Sequence, residues 1–201
     1  MTSDGISTDE WAITHEYAAK IANAVCRDDE SSAGDLTRKL FLHLDSLEAR
    51  YGLVPSILAT RADYTVDVNE RIRLLEEAYD LAKRLGDRPN LTFIASSLAD
   101  TLTEEAPNIS SAEKWLSSLA DALGDHWDDS EHQQFQRSTA ALERLRQNSR
   151  NPAFNIVMGE SLSVGLRPLP AVRPASGHLL HLLYWEGKTK PQQKRRKAKL
   201  T

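Results

Sequence analysis

Two stretches of the chain close on the same triplet: Leu74 to Asp87 reads LLEEAYDLAKRLGD and Ala112 to Asp125 reads AEKWLSSLADALGD. A weaker copy upstream, LDSLEARYG, ends at Gly52, so Gly52, Gly86 and Gly124 mark three helix ends spaced 34 and 38 residues apart. A period of this length, carried by paired amphipathic helices, belongs to arrays in which each unit buries its apolar face only against its neighbours. The expected fold is therefore all-α, a right-handed array of antiparallel helix hairpins, followed by an irregular segment. Scaffolds of this kind bind more often than they catalyse.

The helices can be placed one by one. Ser7 and Glu10 form a capping-box pattern ahead of Trp11, Ala18, Ile21 and Val25, predicting a helix over 8–26. The polar stretch 28–34 is expected to break it. Leu36, Leu40, Leu44, Leu47 and Tyr51 then form a second stripe up to Gly52. Pro55 opens a short helix near 55–64, and a further helix spans 68–86. At 100° per residue its apolar positions cover about half the circumference, which requires packing from two directions. Arg71 falls inside that arc. A cation there must snorkel to the rim or find a carboxylate; if it does not snorkel, it marks a groove for an acidic partner group.

Pro89 and Asn90 start the next helix, and Pro107 closes the turn after it. Ser110 with Glu113 predicts the following helix start, and Ser130 with Gln133 the last one, which runs to about residue 149 and caps the stack. Residues 151–201 hold five of the eight prolines and four of the nine glycines, so the helical body is expected to end near 150. Residues 151–187 then form an irregular Pro/Gly-rich segment with one apolar patch, HLLHLLYW, at 178–185.

The hairpins resemble tetratricopeptide repeats, which set a large and a small apolar residue side by side in the first helix and a small-large-small spacing in the second. Here the pattern is carried by Leu58-Ala59 with Leu75 and Ala78, then Leu98-Ala99 with Leu102, Ala112, Leu116 and Leu119, over roughly residues 52–145. The resemblance implies a concave surface that receives a peptide or helix from another protein. The function expected is a non-enzymatic interaction or regulatory adaptor, with Arg71, Asn90 and Arg61 as candidate partner-binding residues.

Charge is the second organising feature. Lys188, Lys190, Lys194, Arg195, Arg196, Lys197 and Lys199 crowd the last fourteen residues, and setting these seven aside from the net −4 leaves −11 on residues 1–187. This tail, 188–201, supplies the alternative reading, a nucleic-acid-associated regulator whose cations neutralise phosphates without reading bases. An apolar patch beside a polybasic run also suits an anionic membrane surface, and a solvated tail folded back on the acidic body is the plain alternative. No apolar run approaches the ~18 residues of a spanning helix. The sequence MTSDGISTDEW has no secretory pattern, and the one cysteine, Cys26, excludes an internal disulfide. A cytoplasmic protein is expected.

Patterns for chemistry are incomplete. Gly187-Lys188-Thr189 ends like a phosphate-binding loop, yet Leu182 stands where its first glycine belongs. His126, Asp128, Asp129, Glu131 and His132 offer metal-ligand types, but acids ahead of and inside a first helical turn are explained by capping and the helix dipole. His178 and His181 are too few for a metal site. Trp115 reads as a core residue and Trp127 as a hinge residue. No cofactor or metal is expected.

Overall fold

The computed structural model describes residues 1–125 and 127–150, and these form seven α-helices without a strand. They are α1 (Thr8–Val25), α2 (Glu30–Tyr51), α3 (Pro55–Asp63), α4 (Val68–Leu85), α5 (Arg88–Glu104), α6 (Ile109–Leu123) and α7 (Asp129–Arg150). The expectations for 151–187 and 188–201 fall outside the described residues.

Short polar side chains fix most of the helix starts. Ser7, Asp29, Asp67, Asp87 and Asn108 each accept a hydrogen bond from a backbone N–H three residues on, satisfying a donor the first turn leaves open. α3 uses Pro55 at its first position instead, where a missing N–H costs nothing. Three starts differ from those read in the sequence. α2 begins at Glu30 because Asp29 caps the N–H of Ser32, so the stretch expected to break the chain already forms its first turn. α6 is capped by Asn108 rather than Ser110. For α7, Asp128 accepts from the N–H groups of Ser130 and Glu131 while the Glu131 carboxylate takes the N–H of Asp128, a reciprocal box two residues ahead of Ser130.

Helix ends follow the sequence more closely. Gly52, Gly86 and Gly124 are the C-caps of α2, α4 and α6, all at positive φ. Gly86 adopts the left-handed conformation that a side chain resists, and the N–H of Asp87 returns to the carbonyl of Ala82 to close the turn.

Successive helices pack on one another along the chain. α5 additionally touches α3 and α7, whereas the backbones of α4 and α6 stay more than 8 Å apart. α3 is buried along nearly its whole length because it serves two cores. Ile57 and Tyr64 join Ile6, Trp11, Ile21, Leu40, Leu44 and Leu47 in one cluster, while Leu58, Ala59 and Ala62 join the other with α4, α5, α6 and Leu142 of α7. α4 is packed by α3 and α5, the two-sided burial its apolar arc demands, although Leu85 at the end of that arc is 57% exposed. The helix with the most neighbours is α5, which touches α3, α4, α6 and α7. Ala95, Ser96, Ser97 and Ala99 leave room for neighbours to approach closely, and Ile94, Leu98 and Leu102 fill the space between them.

Candidate binding surfaces

Because the backbones of α4 and α6 flank α5 without approaching each other, a recess opens between them. Its volume is about 520 Å³, and it is lined by Tyr79, Asp80 and Lys83 of α4, Leu91 of α5, and Lys114, Trp115, Ser118, Asp121 and Ala122 of α6. Tyr79 meets Trp115 edge to face with ring centroids 4.9 Å apart, which holds the aromatic floor in a fixed geometry. The Lys114 ammonium lies 5.1 Å from the Trp115 ring centre, within range of the attraction between a cation and an aromatic face. Asp80, Lys83, Lys114 and Asp121 are exposed, giving the rim both signs of charge. An apolar, aromatic floor inside a charged rim suits an apolar side chain flanked by polar backbone and charges.

Of the options read in the sequence, Arg71 takes the carboxylate partner rather than snorkelling. It is 6% exposed, its guanidinium forms an ion pair with Glu105 at the end of α5, and its Nε and Nη2 donate to the carbonyl of Thr65 at 3.2 and 2.9 Å. Far from snorkelling, it fastens the start of α4 to the end of α5. Asp63 lies nearby with its Oδ1 sealed from solvent. Burial pushes its carboxyl up to about 8, against the opposing pull of the Arg71 charge.

Arg61 lies on α3 and bonds back to α2, at 2.7 Å from Asp45 and 2.9 Å from Glu48. Asn90 is buried at the start of α5, where its amide nitrogen donates to Asp87 (2.7 Å), Ser3 (3.2 Å) and Ser56 (3.3 Å), tying the N-terminal segment to α3 and α5. Beside it a cavity of about 20 Å³, room for one water molecule, is lined by Trp11, His15, Thr60, Asp63, Asn90 and Phe93 among others. The three candidates thus sit at three separate helix junctions. The candidate residues from Lys188 to Lys199, and the pair His178 and His181, lie outside the described residues.

Tyr79, Lys83, Lys114 and Asp121 were not singled out in the sequence. In the internal repeat, Tyr79 aligns with Ser117 and Trp115 with Glu77, so the register that reveals the hairpins hides the facing aromatic pair. Trp127 rests edge to face on Phe135 (4.9 Å) and donates its indole N–H to the carbonyl of Gly124, consistent with its place at the turn into α7. The acids around residue 128 act as the helix cap described above, and Glu131 also pairs with Arg88 at 3.3 Å. Among the described residues no group of three or more His, Cys, Asp or Glu side chains could hold a metal ion. Cys26 is exposed at the end of α1.

Asp100 gives the α5–α7 contact a pH dependence. It accepts from the Ser138 hydroxyl at 2.7 Å and the Gln134 amide at 3.3 Å, and burial pushes its carboxyl up to about 6 despite those bonds. Asp63 and Asp100 both hold their protons to higher pH in the folded chain than in the unfolded one, where an aspartate titrates near ~3.9. Their contribution to stability is therefore greatest below about pH 4, and it declines as pH rises through about 6 for Asp100 and about 8 for Asp63. Thermal melts of wild type and Asp63→Asn at pH 5 and pH 8 should show the variant gaining relative to wild type at the higher pH. Parallel shifts in the two proteins would contradict this assignment.

Compared with family models, curated proteins and solved structures, the chain matches none. No helix among the described residues is long and apolar enough to cross a membrane.

Proposed function

We propose that the chain is a non-enzymatic adaptor, a tetratricopeptide-like right-handed array of helix hairpins, and that the α4–α6 recess receives a helix or peptide of a protein partner. The observation that carries this reading is the open recess with its fixed Tyr79–Trp115 floor and its rim of mixed charge. The alternating contacts support the array, since α3, α5 and α7 touch along one side while α4 and α6 part on the other. A partner side chain inserted against the half-buried Tyr79 would bury aromatic surface, the kind of contact that dominates binding energy at interfaces. The charges at positions 80, 83, 114 and 121 would set orientation and partner choice more than affinity.

The test uses substitutions that fill or recharge the recess without removing core side chains. Full-length protein carrying Ala122→Glu or Ser118→Arg should lose at least about tenfold in affinity for a partner captured by the wild type, the loss of one well-packed anchor being worth roughly 1.4 kcal/mol or more. Arg61→Ala, at the distant α2–α3 junction, should bind as wild type does. Equal capture by all four proteins would refute the assignment of the recess.

A further inference from the structure

The rim of the recess specifies the chemistry of what it receives. We propose that the α4–α6 recess takes an amphipathic helix of a partner protein whose apolar seam is flanked on each side by one acid and one base about two helical turns apart, with their order reversed between the two flanks. The proposal rests on the recess being a binding surface, and it adds which partner helices that surface accepts and which it rejects.

Helix direction comes first. α4 ends at Leu85 and α5 begins at Arg88, while α5 ends at Glu104 and α6 begins at Ile109, connections short enough to make each pair antiparallel neighbours. α4 and α6 therefore run parallel on either side of α5. Leu91, in the first turn of α5, accordingly lies in the recess with Lys83 and Asp121, near the ends of the two walls. The internal repeat sets their register, since it aligns residue 74 with 112 and brings the helix-ending Gly86 onto Gly124. Glu76 thus stands level with Lys114, and Lys83 stands level with Asp121.

At both levels the walls carry opposite charges, and the signs exchange from one level to the next. Glu76, Asp80 and Lys83 lie on one exposed stripe of α4, and Lys114 and Asp121 are exposed on α6. Among the described residues none of these five belongs to an ion pair, whereas Glu70, Arg73 and Glu77, farther round α4, pair with one another. The recess charges are thus available to a partner. Both walls are helices whose backbone groups are bonded internally, so they offer no ladder to an extended peptide, and the occupant must satisfy its own backbone as a helix does. Residues seven apart on a helix return to nearly the same side about 10 Å along, the spacing from Glu76 to Lys83 and from Lys114 to Asp121. A helix laid over Tyr79, Leu91 and Trp115 therefore meets opposite charge at all four corners only if each flank carries one acid and one base. A helix with flanks of single sign meets a like charge on each wall, which decides partner choice more than affinity.

Two synthetic peptides of identical composition, cross-linked to hold them helical, serve as probes, each with a seam of leucine and tryptophan. In the first, lysine and glutamate alternate along each flank in the crossed order; in the second, both lysines lie on one flank and both glutamates on the other. Full-length protein should bind the crossed peptide about fivefold more tightly, because the sorted one turns two exposed charge contacts from attraction to repulsion. Lys83→Glu/Asp121→Lys leaves α4 acidic and α6 basic along the recess, and it should invert the preference by a similar factor. Both positions are exposed, so the fold is retained. Ala122→Glu should weaken both peptides. Equal affinity of wild type for the two peptides, or a preference unchanged in the double variant, overturns the proposal and leaves the recess to a partner chosen by its apolar seam, whose capture is scored independently with Ala122→Glu. No binding of the crossed peptide, or binding that Ala122→Glu leaves intact, overturns it as well.

Discussion

Leu98→Ala is expected to lower stability by about 2–5 kcal/mol, the range for leucine truncation in a packed interior. Leu98 is fully buried on α5, the helix that touches α3, α4, α6 and α7, so the vacated space is walled by several elements at once. A cavity enclosed on all sides relaxes poorly, which places the cost in the upper part of that range. The melting temperature should fall by roughly 5–15 °C for a chain of this size. Leu75→Ala, equally buried where α4 packs between α3 and α5, should behave similarly, whereas Leu85→Ala at the exposed end of the same helix should cost less than about 1 kcal/mol. Chemical denaturation of the three variants decides the matter, and a silent Leu98→Ala would mean that α5 is not the shared centre of the array.

Arg71→Leu should cost about 1–3 kcal/mol, because it removes both donors to the Thr65 carbonyl and the charge partner of the partly exposed Glu105. Only the arginine of this pair is nearly shut off from water, since the Glu105 side chain is 28% exposed. Removing Glu105 strands a buried guanidinium, whereas replacing both with apolar side chains can be nearly neutral. The double variant Arg71→Leu/Glu105→Leu should therefore lose less stability than the sum of its two single variants, which a double-mutant cycle measures directly. Strict additivity would mean that the pair contributes no coupling between α4 and α5.

The fate of Arg71 illustrates what a periodic sequence reveals and what it withholds. Its angle on α4 correctly places it among Leu74, Leu75 and Ala78, but Glu105 lies 34 residues away, and no helical-wheel argument names a partner on another helix. Glycine positions transferred well because Gly52, Gly86 and Gly124 act locally, each ending the helix it follows. N-caps transferred less well. Around 108–111 and 128–131 several adjacent Asn, Asp and Ser residues satisfy the same short pattern, and the choice among registers falls to how each helix packs. The recess was not legible at all. Tyr79 and Trp115 each read as one more apolar residue in a stripe, and only the gap between α4 and α6 turns their shared edge into an open floor.

The central claim is that a protein partner occupies the α4–α6 recess, and site-specific photocrosslinking in the host cell tests it most directly. With a benzophenone amino acid at position 118 in the recess, the account predicts a discrete covalent adduct to a protein partner that disappears when Ala122→Glu fills the site. The same probe at position 46, exposed on α2, should give no such product. Absence of any adduct from position 118, or an equal adduct from position 46, would contradict the account.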